Sequence, residues 1–234
     1  MLKLEGLSLQ THGRFLLSGV TGTVPDSALT CLIGANGAGK TTLLRILAGD
    51  MKPTSGGFFI RGTAAASLTR RDIARHFAVI PQDVQPPEHL TVIELVTLAR
   101  FQPHAALRWR LKDRDRTIVR SCLNLCQMDE LSQQRVDQLS GGEQQRAWLA
   151  FGLAQEKPFL LLDETLGGLD VVARKAFFGL LKQIASAGKG VVLTTHDLEL
   201  VGDFADWAMV LGHGSVTYEG PPNDRLINFL APSR

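Results

Sequence analysis

The stretch Gly34-Ala35-Asn36-Gly37-Ala38-Gly39-Lys40-Thr41-Thr42 constrains this chain more than any other part of it. It fits G-x-x-x-x-G-K-[ST], a loop that wraps a phosphate. Gly34, Gly37 and Gly39 let the backbone turn tightly and approach an oxyanion. The loop N–H groups, from Asn36 and Ala38 on to Thr42 in the helix that follows, then converge on phosphate oxygens. Lys40 supplies a point charge for β- and γ-phosphates. Thr41 supplies a hydroxyl for Mg²⁺, which prefers hard oxygen ligands. The flanks agree: Leu29-Thr30-Cys31-Leu32-Ile33 reads as a buried strand, and Leu43-Leu44-Arg45-Ile46-Leu47-Ala48 as a helix ended by Gly49. A chance match arises in roughly one chain of this size per hundred. The strand–loop–helix context lowers that further, so nucleotide binding is the expectation before anything else is read.

With 234 residues the chain is long enough for one domain with a sizeable core. Its net charge of +2 implies no nucleic-acid or anionic-lipid partner. Met1-Leu2-Lys3-Leu4-Glu5 does not resemble a secretory signal, and no run approaches the ~18 apolar residues needed to span a bilayer. A cytosolic location, where ATP is available, is therefore expected. The three cysteines are odd in number and scattered, which argues against a disulfide framework. Cys122 and Cys126 lie one helical turn apart, but no further Cys or His completes a metal set. Cys31, Cys122 and Cys126 are read as small core residues. His12, His76, His89, His104 and His213 are read as structural or surface residues.

Residues 1–33 look strand-rich, with turns at His12-Gly13 and Pro25-Asp26-Ser27. Phe58–Arg61 reads as a strand, Leu68–Ala74 as a short helix, and Phe77–Ile80 as a buried strand that delivers Pro81-Gln82. From about Val84 to Lys157 the pattern turns helical. Thr91 and Glu94 form a capping-box signature, Arg108–Arg116 reads as a solvated turn of helix, and Ile118–Leu125 as an amphipathic one. Phe159-Leu160-Leu161-Leu162 is then a continuous apolar strand, typical of a parallel sheet covered on both faces. Val171–Ala187 reads as a helix stopped by Gly188, Val191–Thr195 as another buried strand, and Leu198–Phe204 as a helix. A hairpin around Gly212-His213-Gly214 follows. Strands alternating with helices imply an α/β fold with crossover connections, and residues 84–157 form a helical insertion within it.

Leu139-Ser140-Gly141-Gly142-Glu143 is the second informative stretch. Ser140 and Glu143 would cap an ordinary helix, but capping alone does not require both Gly141 and Gly142. Serine and two glycines at a helix N-terminus make another anion site. From here the chain resembles the ATP-binding subunit of ABC transporters, over nearly its whole length. Gly34–Thr41 matches the family's Walker A motif, Leu139–Glu143 its signature, and Leu160–Glu164 its Walker B motif. Gln82 falls at the Q-loop, Gly168-Leu169-Asp170 at the D-loop, and His196 at the switch histidine.

The resemblance implies a P-loop NTPase core with a mostly parallel sheet, an N-terminal antiparallel β subdomain and the inserted α-helical subdomain. It also implies that ATP is sandwiched between two copies of the chain, so that Ser140, Gly141 and Gly142 meet the γ-phosphate across the dimer. Asp163, Thr41 and Gln82 would serve Mg²⁺. Glu164 would act as general base on the attacking water, His196 would hold the γ-phosphate and Glu164, and Asp170 would link the two sites. The implied partners are polytopic membrane permease subunits, with a substrate-binding protein. The implied location is the inner face of the cell membrane.

Three departures stand out. The family carries an aromatic near Thr11 to stack on adenine, where this chain has Gln10-Thr11-His12. His12 or Phe15 are the substitutes on offer, and weak base discrimination is expected. Thr165-Leu166 replaces the usual Pro-Thr after the Walker B carboxylates, and Gly167 replaces a small polar residue, which changes the D-loop. Ala99-Arg100-Phe101-Gln102-Pro103-His104 and Lys112-Asp113-Arg114-Asp115 are similar to segments of iron–siderophore, haem and vitamin B12 importers. Pro86-Pro87 and Phe101 are read as permease-groove residues or as residues that end helices and fill the core of the helical segment, the two readings being equal for Phe101. The rival reading is a soluble ABC ATPase with a non-membrane partner, as in iron–sulfur cluster assembly. A regulator that binds nucleotide without hydrolysis is argued against by Glu164 and His196.

Overall fold

Strands built from unbroken apolar runs divide the molecule into two cores. In the computed structural model, which describes residues 1–81, 85–101, 112–165, 168–223 and 226, the strands in chain order are β1 (Leu2–Thr11), β2 (Arg14–Val24), β3 (Leu29–Ile33), β4 (Ser55–Ile60), β5 (Thr63–Ala64), β6 (Phe77–Ile80), β7 (Phe159–Leu162), β8 (Gly190–Thr195), β9 (Trp207–Gly212) and β10 (Ser215–Gly220). The helices are α1 (Lys40–Leu47), α2 (Arg70–Ala74), α3 (Val92–Leu98), α4 (Asp113–Leu125), α5 (Gly141–Ala154), α6 (Val171–Ser186) and α7 (Leu198–Phe204). Among the described residues one sheet has the order β10-β9-β3-β8-β7-β6, parallel except for β10. A second, antiparallel sheet has the order β2-β1-β4-β5. This is the α/β fold expected, with a mostly parallel sheet beside an N-terminal antiparallel one.

Alternate residues of each parallel strand enter opposite cores, which is why these strands show no polar face. Leu160, Leu162, Val191 and Leu193 join Cys31 and Ile33 on the side packed by α3 to α7. Phe159, Leu161, Val192 and Leu32 face α1 and the antiparallel sheet. In β1 the alternation breaks: Leu2 and Leu4 point inward, then the register shifts and Leu7 and Leu9 do so. Gly190 allows the Phe159 ring to lie against β8, because a Cβ there would come 2.4 Å from Cδ1 of that ring. The Phe159 ring in turn packs 5.6 Å, centroid to centroid, from Phe77.

Some helix starts match the sequence signals and others do not: α6 and α7 begin at Val171 and Leu198 as read, whereas α1 begins at Lys40 and α2 at Arg70. Thr91 and Glu94 form the capping box of α3. Asp113–Leu125 is one helix that joins Ile118–Leu125 to the end of the stretch read at Arg108–Arg116, of which residues 108–111 lie outside the described residues. The side chain of Asp115 accepts from the Lys112 N–H at 3.3 Å, so the charged stretch opens the helix itself. Arg100 binds Asp115 at 2.9 Å and donates to the Ala154 carbonyl at 2.6 Å, tying the end of α3 to α4 and α5. Cys31 and Cys126 are buried as expected, while Cys122 is only half-buried. Among the described residues no group of three His, Cys, Asp or Glu could hold a metal.

Candidate nucleotide site

The site begins at the end of β3, the central strand between β8 and β9. Beyond Ile33 the chain turns through Gly34 to Gly39 into α1. Gly34 sits where a Cβ would be 2.5 Å from the Leu211 carbonyl oxygen, so only glycine fits against β9. Gly39 has φ 103°, a left-handed conformation, and lies against Leu17 of β2. The Ala38 N–H closes a turn onto the Ala35 carbonyl at 3.1 Å. No side chain caps α1, so the N–H groups of its first turn are left for a ligand.

Lys40 is 5 % exposed, and three acceptors hold its ammonium. Nζ donates to the carbonyls of Gly34 at 2.9 Å and Ala35 at 3.3 Å. It also pairs with Oε1 of Glu164 at 3.3 Å. A cleft of about 330 Å³ opens beside it, lined by Asn36, Gly37, Gly39, Lys40, Thr41 and Thr42, with Glu164 and Leu16 at its edges.

The Walker B pair is delivered by β7. Asp163 is buried, and its Oδ1 accepts from the hydroxyls of Thr41 at 3.1 Å and Thr194 at 2.9 Å. The next residue, Glu164, has φ 40° and donates its N–H to Thr194 Oγ1 at 2.6 Å. Thr41 and Asp163 thus offer two hard oxygens beside a phosphate loop. Such a donor set fits Mg²⁺, which completes its shell with phosphates and water and does not need an all-protein cage.

The remaining residues anticipated from the sequence lie elsewhere. Ser140 caps α5: its hydroxyl donates to Glu143 Oε2 at 2.6 Å and accepts from the Glu143 N–H at 3.4 Å. The Ser140 hydroxyl and N–H hold the Glu143 carboxyl below the usual range. Gly141 is exposed, and Gly142 lies where a Cβ would be 3.3 Å from Leu169, joining the signature to the D-loop of the same chain. Asp170 is exposed and caps α6 by accepting from the Ala173 N–H at 2.7 Å. His196 is exposed just beyond β8. None of these five lines the phosphate cleft of its own chain. Gln82, Leu166-Gly167 and the Gln102-Pro103-His104 segment lie outside the described residues.

The cleft also reaches an apolar residue that the sequence does not single out. Leu16, 40 % exposed, borders the cleft, whereas Phe15, 60 % exposed, and His12, in the β1–β2 turn, do not. The signal in the sequence is the run Phe15-Leu16-Leu17, because a strand that buries one face leaves part of such a run outside its core. Thr194, fully buried one residue before the end of β8, is likewise not singled out by the sequence.

A protein-family profile described as ABC transporter matches residues 17–167. The iron(3+)-hydroxamate import ATP-binding protein FhuC of Bacillus subtilis (strain 168) is 34 % identical over 220 residues, 94 % of this chain and 81 % of that protein. The hemin import ATP-binding protein HmuV of Gloeobacter violaceus is 35 % identical, with 95 % of this chain and 82 % of that protein covered. Among solved structures, the dimeric bacterial ABC transporter cassette MJ0796 superposes with a TM-score of 0.79 at 26 % identity, covering 95 % of this chain and 99 % of that one. The same cassette is also known as a dimer in a post-hydrolysis state bound to ADP and Pi.

Proposed function

The chain belongs to the ABC transporter family, and from that membership we propose that it powers import of an iron–siderophore, haem or cobalamin-type substrate across the cytoplasmic membrane by ATP-driven dimerisation. It is an ATP-binding subunit with ATPase activity, acting as a dimer with membrane permease partners. The names of the relatives support the iron–siderophore and haem classes, and a soluble ATPase with a non-membrane partner is not favoured. A substrate-binding protein that delivers the cargo, and a location on the inner face of the membrane, belong to the same reading. Among the described residues no helix is long and apolar enough to cross a membrane, so the crossing is assigned to the permease. Residues 84–157 are assigned as a helical subdomain inserted in the α/β core, supported by the packing of α3, α4 and α5 between β6 and β7 in chain order.

The observation that carries the chemistry is the Lys40–Glu164 pair lining the phosphate cleft, with Thr41 of the same cleft bound to Asp163. ATP is drawn into the loop by the N–H groups of Gly34–Thr42, and its phosphates take over the Lys40 ammonium from Glu164. Glu164, released, accepts a proton from the attacking water. Thr41, Asp163 and Gln82 would hold Mg²⁺, which neutralises phosphate charge when bound. Ser140, Gly141 and Gly142 lie away from the cleft of their own chain and exposed or partly so, which supports their acting on the ATP held by a second copy. His196 steadies the γ-phosphate and Asp170 couples the two sites. Positioning and charge stabilisation supply most of the acceleration, as in phosphoryl transfer generally.

The test is affinity capture of the tagged chain from detergent-solubilised native membranes, with partners identified by mass. A polytopic membrane protein at matched stoichiometry supports the reading, and its class narrows the cargo. Capture only of soluble cluster-assembly or ribosomal proteins overturns the import assignment.

A further inference from the structure

We propose that Thr194 is a positioning residue for ATP hydrolysis, holding the two Walker B carboxylates in their separate tasks through one hydroxyl. The inference rests on the roles given above to Asp163 and Glu164. Strand β8 reads Gly-Val-Val-Leu-Thr-Thr, and every residue in it is buried. Thr194 is 0 % exposed, so water does not reach its hydroxyl and any partner it has lies inside the protein. Both of its partners belong to the Walker B pair. The hydroxyl donates to Asp163 Oδ1 at 2.9 Å and accepts from the Glu164 N–H at 2.6 Å.

Three features show that this bridge does more than satisfy a buried hydroxyl. First, Thr30 on neighbouring β3 is 1 % exposed, and its hydroxyl has no partner among the described residues, so the fold does not demand such a bridge wherever it buries a threonine. Second, the peptide it clamps is strained. Glu164 has φ 40°, a conformation that a non-glycine residue keeps only when its surroundings hold it. The bond from its N–H to Thr194 supplies that hold at the residue that must release Lys40 and turn to the water. Third, Oδ1 of Asp163 takes both the Thr194 and the Thr41 hydroxyls. Sharing one oxygen restrains the carboxylate's rotation and leaves Oδ2 outside both of these bonds. The β-branched side chain of Thr194 has restricted χ1, so the clamp is itself rigid. Asp163 is further pinned by its own N–H, which donates to the Ile80 carbonyl at 3.1 Å. Thr194 is thus placed to fix direction in both carboxylates without touching the nucleotide.

The test compares Thr194→Val, which keeps the shape and deletes the hydroxyl, with Thr194→Ser, which keeps the hydroxyl. Glu164→Gln runs alongside. Two readouts are taken: kcat and KM for ATP hydrolysis, and the free Mg²⁺ needed for half-maximal equilibrium binding of a non-hydrolysable ATP analogue. Thr194→Val is expected to lower kcat by about tenfold to a hundredfold, the usual effect of losing an outer partner of a metal-site ligand, with KM moving much less. It is expected to raise the Mg²⁺ requirement by about tenfold. Thr194→Ser should recover most of both. A folded Thr194→Val with wild-type kcat and Mg²⁺ response, or a folded serine variant as impaired as valine, overturns the inference. If the valine variant does not fold, Thr194→Cys, with a much weaker donor, takes its place under the same two outcomes. Loss of turnover in Glu164→Gln beside a silent Thr194→Val removes only Thr194. Unchanged turnover in Glu164→Gln removes the Walker B assignment itself.

Discussion

Replacing Glu164 with glutamine should tighten nucleotide binding to the isolated subunit while stopping its turnover. The Glu164 carboxylate lies 3.3 Å from the Lys40 ammonium, the group that the phosphates need. At that separation two unit charges attract by about 1.3 kcal/mol in water and about 5 kcal/mol at an effective dielectric of 20. Glu164 is 24 % exposed, and Lys40 keeps two backbone carbonyls whatever Glu164 does. The net worth of the pair therefore sits near the lower bound, about 1 kcal/mol. Glutamine keeps the shape, and its amide oxygen still accepts from Lys40, so only the charge is lost. ATP then displaces a weaker competitor, and its dissociation constant should fall about fivefold. Turnover should fall by about 10²–10⁴, the usual contribution of a general base. The assay is equilibrium titration with a fluorescent, non-hydrolysable ATP analogue, at subunit concentrations too low for dimerisation to add affinity. An unchanged or weaker affinity in the folded variant refutes the competition between Glu164 and phosphate for Lys40.

Other outcomes follow from the same geometry. Ser140→Ala removes the cap of α5 and should cost about 1 kcal/mol, or about 3 °C in Tm, whereas Ser140→Asp keeps a cap but should abolish ATP-driven dimerisation measured by size-exclusion chromatography. Gly190→Ala drives a methyl into the Phe159 ring and should destabilise the protein by about 1–3 kcal/mol in urea unfolding. ATP and GTP should bind with similar affinity in competition titrations, because an aliphatic Leu16 borders the cleft; a strong ATP preference refutes this. Burial raises the Cys122 thiol to about 11, and its folded value lies above the unfolded one. Its contribution to stability is therefore complete at neutral pH and is lost as pH rises from about 9 through 11. Maleimide labelling at pH 8 should accordingly be slow at Cys122 and slower still at Cys31 and Cys126, whose thiols burial raises further.

Much of the fold was legible because the signals were local. The phosphate loop, the capping boxes at Thr91 and Ser140 and the four apolar residues Phe159–Leu162 each encode their conformation in neighbouring side chains. The charged stretch before Ile118 was harder, because the Lys112–Asp115 contact that opens α4 depends on a backbone N–H, and every non-proline residue offers one.

The sequence by itself determined which chemistry the chain carries. A glycine loop ending in Lys40-Thr41, a strand ending in Asp163-Glu164 and a serine–glycine helix start at Ser140 have few uses other than gripping and cleaving a nucleotide. Only the tertiary structure decided how those groups meet. It set Glu164 on Lys40, brought Thr194 from β8 under both carboxylates, and kept Ser140 out of its own chain's cleft. Those meetings join residues up to 124 positions apart, like the 122 and 31 that separate the partners of Asp163 from it. They depend on the lateral order of parallel strands, in which β7 and β3 both flank β8. That order is settled by how crossover helices pack on the two faces of the sheet, a long-range balance that no short stretch of residues records.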